Sequence, residues 1–414
     1  MRWKPAPWPL LCVLLACVFW AAAVRAADLD AAIAVEMRHF PSQGLNGQDR
    51  GAFSGSAQVE MVLETGDSSR LVVTPFVRID SDDDKRSHAD LRELFLSTLG
   101  DDWELSVGFK QEFWGVVEFA HLVDIINQTD LVENIDGEDK LGQPMIQLSL
   151  LRTWGTLDLF ALTGFRERTF PGRNGRLALP FEIDTHGARY ASSKRQRRID
   201  LAVRWSHQIG GLDIGLSQFH GTGRSPDFLL EQRQGGALPV LVPEYPVIDQ
   251  TGVDAQYLRG NWAFKLEALS RGGQGERFVA TATGLEYTIV GVFGTTVDLG
   301  LVGEYFHDER GKEAFDTLFQ DDVAVGLRFG FNDANDSQLL LGVVRDTTSR
   351  ETVMSVEGSR RIGDHLTVSV EARTFGGSHH LVRDAPQSWL ADRGHAGAFL
   401  QNEDYAQVEL KWFF

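Results

Sequence analysis

The chain has 414 residues, a formal net charge of −18 and two cysteines, Cys12 and Cys17. Such acidity argues against nucleic acid as a partner. The lack of cysteine after residue 17 excludes disulfide frameworks, thiolate metal sites and cysteine nucleophiles from the remainder.

Residues 1–26 predict a signal peptide. Arg2 and Lys4 give the positive start, and the apolar run Leu10 to Val24 is too short to span a bilayer as a helix. Val24-Arg25-Ala26 then offers small residues for cleavage before Ala27. Leu14-Leu15-Ala16-Cys17 loosely fits a lipid-attachment site, against which the apolar run continues past Cys17. Loss of Arg2, Lys4 and Arg25 with the segment leaves 27–414, predicted as a single domain, at −21. No later apolar stretch is long enough for a membrane helix.

From Ala27 onward the signal is period two. In "IDLAVRWSHQIGGLDIGLSQF", Ile199, Leu201, Val203 and Trp205 form one face and Arg198, Asp200, Ala202, Arg204 and Ser206 the other, before a Gly-Gly turn. Eighteen strands are predicted (16–18 within counting error), starting near residues 30, 53, 70, 89, 103, 143, 155, 196, 211, 248, 261, 277, 295, 320, 336, 351, 365 and 403. Connections after even-numbered strands are short, as in "GDSS", "GDD", "WG" and "IGG", and most after odd-numbered strands are long. An even count with this alternation puts both termini on one side.

A soluble sandwich or propeller and a transmembrane barrel both show such alternation. Three features favour the all-β transmembrane antiparallel barrel. The polar face is too charged for a packed core, with Arg78, Lys265, Glu267, Glu304, Arg328, Glu357, Arg361, Glu371 and Arg373. Trp103, Trp205, Tyr257, Trp262, Tyr287, Tyr305 and Trp412 fall on the apolar face near strand ends, as an interfacial girdle requires. No Gly/aromatic motif repeats at a blade-like period.

The chain ends "YAQVELKWFF", where Ala406, Val408, Leu410, Trp412 and Phe414 share one face. This resembles the C-terminal signature of Gram-negative outer-membrane β-barrel proteins. The resemblance implies cell outer-membrane localisation, short periplasmic turns and long extracellular loops. It also implies that the barrel-assembly machinery reads those five residues, and that outer-membrane lipid and lipopolysaccharide surround the barrel. "FWGVVEFAHLVDIINQTD" and "YPVIDQTGVDAQYLRGNWAFKLEALSRGGQGERF" are similar to an uncharacterised group of outer-membrane barrels, which brings no substrate with it.

Residues 113–142 carry seven acids, Glu118, Asp124 and Asp130 among them, against Lys140 alone. Phe119, Leu122, Val123 and Ile126 stand at helical intervals there, predicting a short amphipathic helix packed inside the barrel as in the third loop of porins. An external cap on neighbouring loops is the alternative. Residues 166–204 hold ten bases against four acids. Within the barrel, Arg198 and Arg204 are expected to line the pore as an attracting row, with Arg328, Arg361 and Arg373 next, opposite Glu118, Asp124 and Asp130. The same arginines could instead meet lipopolysaccharide phosphates or solvent.

Weaker signals complete the inventory. Asp80, Asp82 and Asp84 alternate, but Lys85 and Leu91 stand where a calcium loop needs glycine and glutamate. Ser378-His379-His380 lacks a spaced third ligand, and Asn127-Gln128-Thr129 is a chance sequon. His121 with Asp124 reads as a structural pair, and no G-x-S-x-G motif supports an enzyme. His207 and His220 lie near strand ends without an arguable serine partner. The expectation is a porin-like channel for passive diffusion of small hydrophilic solutes, anionic ones among them, without covalent chemistry, metal or cofactor. A loop-occluded barrel with a structural or surface-interaction role and an outer-membrane hydrolase are the alternatives. Oligomeric state is open.

Overall fold

The computed structural model describes residues 27–233, 239–314, 317, 319–377 and 395–414. The signal-peptide reading and Ser378 to His380 therefore lie outside the described residues. Alternation of apolar and polar residues produces eighteen long strands. The first six are β1 (Ala27–His39), β2 (Gly51–Gly66), β3 (Ser69–Asp80), β4 (His88–Leu99), β5 (Trp103–Lys110) and β6 (Gln143–Arg152). Next come β7 (Gly155–Leu162), β8 (Asp200–Ile209), β9 (Leu212–Thr222), β10 (Val247–Arg259), β11 (Trp262–Gly272) and β12 (Phe278–Ile289). The last are β13 (Asp298–Asp308), β14 (Asp321–Gly330), β15 (Gln338–Asp346), β16 (Thr352–Ile362), β17 (Leu366–Gly376) and β18 (Tyr405–Phe413).

Each strand pairs antiparallel with its sequence neighbours, and β1 also pairs with β18, setting Val35 opposite Leu410. The seam is sealed to the last residue, since Phe414 donates its N–H to the Ala31 carbonyl at 3.0 Å. Closure leaves no sheet edge, the condition for β-structure to cross a bilayer. Two-residue turns join β8 to β9 and β10 to β11, where Gly210 and Gly260 take φ of +62° and +60°. Such left-handed positions suit glycine and match the twist of a tight hairpin.

The apolar phase faces outward. Ile33, Val35 and Met37 of β1 and Val408, Leu410 and Trp412 of β18 are all exposed on adjoining strands. Tyr257, Trp262 and Tyr287 cluster on that face near the short turns, with the Trp262 and Tyr287 rings 4.5 Å apart. Among the described residues no helix is long and apolar enough to cross a membrane.

The inward face is not an empty bore. The loop between β5 and β6, residues 111–142, crosses the lumen and packs on opposite walls. Trp114, Val123, Ile125 and Ile126 bury against Met145, Phe160, Leu162 and Phe219 on one side. Val117 and Phe119 bury against Phe306, Ala282 and Ala324 on the other. The predicted amphipathic helix does not form. Apart from the two-residue strands Gln128–Thr129 and Lys140–Leu141, this loop is irregular. Over the long-loop end, Glu182–Ile183, Arg189–Tyr190, Asp227–Glu231 and Val240–Tyr245 make a separate four-stranded sheet that the sequence reading did not foresee.

Candidate functional site

Two wall carboxylates explain why the inner loop is irregular. Glu267 on β11 is fully buried and accepts N–H bonds from Val116 (2.7 Å), Val117 (3.1 Å), Leu122 (2.7 Å) and Val123 (3.3 Å). Glu304 on β13 accepts those of Glu118 (2.7 Å) and Phe119 (3.1 Å). Of these donors, Leu122 and Val123 would have bonded within the predicted helix; both are given to a carboxylate instead, and bonds to charged acceptors are stronger than neutral ones. Two glycines complete the berth. Gly326 and Gly342 face each other on β14 and β15, and a Cβ on Gly342 would come within 2.6 Å of the Phe119 ring.

The acidic half of the loop docks on arginines of β3, β4 and the turn between them. Arg92 meets Asp130 at 2.7 Å, Arg78 meets Glu133 at 2.9 Å, and Arg86 reaches the carbonyls of Val132 and Glu133. From the far side buried Arg224 donates to the Ile126 carbonyl at 2.8 and 3.1 Å, and burial lowers its pKa to about 10. Lys140 holds Asp124 at 3.0 Å. His121 lies 3.0 Å from Glu138. Burial opposes the imidazolium, but hydrogen bonds and charge from Glu138 and Glu267 outweigh it and lift its pKa to about 9. Burial, with repulsion from Glu133 and Asp136, raises Asp139 to about 7. His88, Asp130 and Glu133 bring donor atoms within 4.8 Å of one another, a spacing a metal could use. Arg92 and Arg78 already supply the positive charge there.

The pore-lining candidates are scattered through this architecture. Arg204 faces inward but makes a two-point pair with Asp254 at 2.6 and 2.7 Å, under the Trp114 ring. Arg198 precedes β8 and pairs with Asp200 at 3.0 Å. Arg328 pairs with Glu118, so these two sequence-named residues are brought together. Arg373 bridges Glu371 (2.9 Å), Glu357 (3.0 Å) and Asp136 (3.2 Å). Arg361 has the inward phase but sits exposed at the short-turn end. Asp124 and Asp130 are held in the docked loop by Lys140 and Arg92 rather than facing Arg198 and Arg204. Within the ten-base segment Arg173, Lys194, Arg195 and Arg197 are exposed at the long-loop end. Arg166 and Arg176 pair with Asp90 and Glu403.

Other sequence signals find structural roles. Asp80 caps the backbone of Asp82 and Asp83, and Asp83 accepts from Gly172. Asn127 is buried and bonds Glu112, Lys110 and Leu141. Ala406, Val408, Leu410, Trp412 and Phe414 all lie on the exposed outer face. The sequence reading missed Arg86, Arg92 and Arg224. Arg92 lies on a strand whose alternation breaks at a register shift opposite Thr74 and Pro75, and the other two lie in loops, where phase carries no signal.

What the loop leaves open lies along β14–β18. A cavity of about 340 Å³ toward the long loops is bounded by Glu118, Asp136, Glu138, Asp322, Glu351, Glu357 and Arg373, with an apolar side formed by Val117, Phe119, Phe319 and Val344. A second, of about 450 Å³, continues toward the short turns and shares Glu118, Leu340 and Glu357 with the first. Arg328, Glu371, Gln407 and Glu409 line it. Together the two hold eight carboxylates, two arginines and His121.

No protein-family model matches the chain, and no curated protein matches it. Solved structures do. OccD3 (OpdP) of Pseudomonas aeruginosa superposes with a TM-score of 0.53 at 9% identity, covering 94% of this chain and 91% of its own. Wzi of Escherichia coli, an outer-membrane carbohydrate-binding β-barrel involved in group 1 capsule assembly, superposes with a TM-score of 0.52 at 10% identity, covering 99% and 89%. At such identities the likeness is one of fold and not of a sequence family. The chain is an eighteen-stranded antiparallel barrel that resembles outer-membrane proteins in structure.

Proposed function

We propose that the chain is an outer-membrane channel, narrowed by the 111–142 loop, that passes small hydrophilic solutes by diffusion along β14–β18 and favours cations. One observation carries this reading: the space the loop leaves is bounded by eight carboxylates against two arginines and His121. Fixed negative charge in a low-dielectric passage attracts cations and repels anions. Arg198 and Arg204 supply little attraction for anions, because each charge is met by an aspartate within 3.0 Å. No covalent step is required. In this reading the exposed face of β18 contacts lipid after the assembly machinery has read it, and lipopolysaccharide meets the exposed bases of the long loops.

The test is current through the folded protein in a planar bilayer with unequal potassium chloride on the two sides. A reversal potential favouring potassium is expected. A chloride preference would restore the arginine row as the selective element, and silence from a folded barrel would remove the channel.

A second reading has its own support. The lumen is heavily filled, and loops form a recess of about 500 Å³ at the long-loop end, where Lys85, Arg168, Arg173, His186 and Arg233 outnumber Glu167, Glu182 and Asp184, although Arg233 pairs with Glu182 at 3.0 Å. With the likeness to Wzi, this suggests a closed barrel that holds an acidic surface carbohydrate. Binding of such a polymer without conductance would favour it.

A further inference from the structure

The long-loop cavity has two unlike sides. Phe119, Phe319 and Val344 make one apolar, while Asp136 and Glu357 stand on the other. On the charged side Glu357 and Glu371 are directly opposite each other on β16 and β17, both on the inward face. Like charges at such a position destabilise a sheet. Asp136, brought in by the docked loop, adds a third carboxylate. All three share a single guanidinium, that of Arg373, within 3.2 Å. Tyr405 and Asn134 donate to Glu371, and Asn134 donates to Asp136, which relieves polarity but adds no positive charge. Among the described residues, one guanidinium thus serves three carboxylates beside an apolar surface, and Glu357 stays partly open to the lumen.

We propose that this cavity binds an organic cation: an ammonium or guanidinium group set against Glu357 and Asp136, carried on a short apolar body that lies over Phe119 and Val344. A simple hydrated metal ion would gain nothing from the apolar side, and an anion would meet the carboxylates. A neutral apolar molecule would leave the excess charge unpaired. The inference deepens the channel reading and rests on it for the route of entry, whereas binding is read separately from current.

The experiment is titration calorimetry of the folded full chain in detergent with phenethylammonium, 2-phenylethanol and phenylacetate, each against protein-free micelles. These probes share a body and differ in charge. Saturable binding of phenethylammonium is expected, about tenfold or more tighter than either comparator, since a bond to a charged group is worth at least that factor. Glu357→Gln should weaken it by about the same factor. Val344→Trp, which fills the apolar side without touching a charge, should abolish it and guards against a folding defect in the first variant. Equal binding of 2-phenylethanol, unchanged affinity in Glu357→Gln, or no binding of any probe to a folded barrel would overturn the proposal. Cation-selective current without binding would sink this inference alone, and binding without current would sink the channel alone.

Discussion

The backbone N–H of Leu122 donates to the side chain of Glu267 at 2.7 Å, joining positions 145 residues apart in sequence. With its three companion bonds, this contact makes a buried strand carboxylate the anchor of the loop that fills the lumen. A charged group with no exposure is costly unless fully bonded. Four amide donors meet that need and keep the segment from coiling into a helix.

Replacing that anchor should free the loop and spare the barrel. Glu267→Ala leaves four amides without that acceptor, two of them on the buried Val117 and Val123, a loss of about 3 kcal/mol or more of docking. Limited proteolysis should then cut between residues 111 and 142 while the strands stay protected, and unit conductance should rise. Resistance equal to the parent protein would show that apolar packing alone holds the loop.

Gly342→Val should act at the other berth. Its side chain would occupy the space of the Phe119 ring, whose nearest atom lies 2.6 Å from the Cβ position. Overpacking of this kind costs about 1–3 kcal/mol. Adding Phe119→Ala should recover most of the loss, because the smaller residue vacates the contact. A double variant no more stable to heat than Gly342→Val would refute the fit.

Loop docking should weaken as pH rises. His121 binds its proton more tightly in the folded state, its pKa lifted from 6.5 to about 9. Its contribution is full below pH 6.5 and is lost as pH climbs through 9. Asp139 works in the same sense. Its folded pKa of about 7 lies above the ordinary 3.8, so stability falls as pH rises across that interval. Protease sensitivity of the loop should thus increase from pH 5 to pH 9.5, and His121→Gln should flatten the upper part of that profile. Tighter docking in alkali would contradict the sign.

Arg204→Ala should be a stability variant before it is a selectivity variant. It strands Asp254 on the inner wall without its two-point partner, and breaking a buried pair costs about 3–5 kcal/mol. Asp254→Ala added to it should restore much of the melting temperature. The ratio of potassium to chloride permeability should move little in the double variant. A large swing toward potassium would mean that Arg204 carries selectivity after all.

Period-two alternation placed all eighteen strands, the largest offset in their starting positions being about four residues at Asp200. It also oriented Val408, Leu410 and Trp412 outward and Glu304, Glu357 and Arg373 inward. This was legible because phase in a strand depends only on local geometry, with each side chain opposite in direction to the next. The loop was legible in composition: its acid and its oil announced that it packs somewhere inside.

What tertiary structure alone decided is which charges meet. The sequence shows Arg204 and Asp254, or Arg373, Glu357 and the loop residue Asp136, only as separate letters. Strand register and loop path determine that the first pair is neutral and that the second group carries excess negative charge. The helix expected over Phe119 to Ile126 failed for the same reason. Its periodicity was real, but Glu267, distant in sequence, offered the amides of Leu122 and Val123 a stronger acceptor than the helix's own carbonyls. Strand phase is a property of neighbours along the chain, whereas compensation of charge and of backbone donors is a property of neighbours in space.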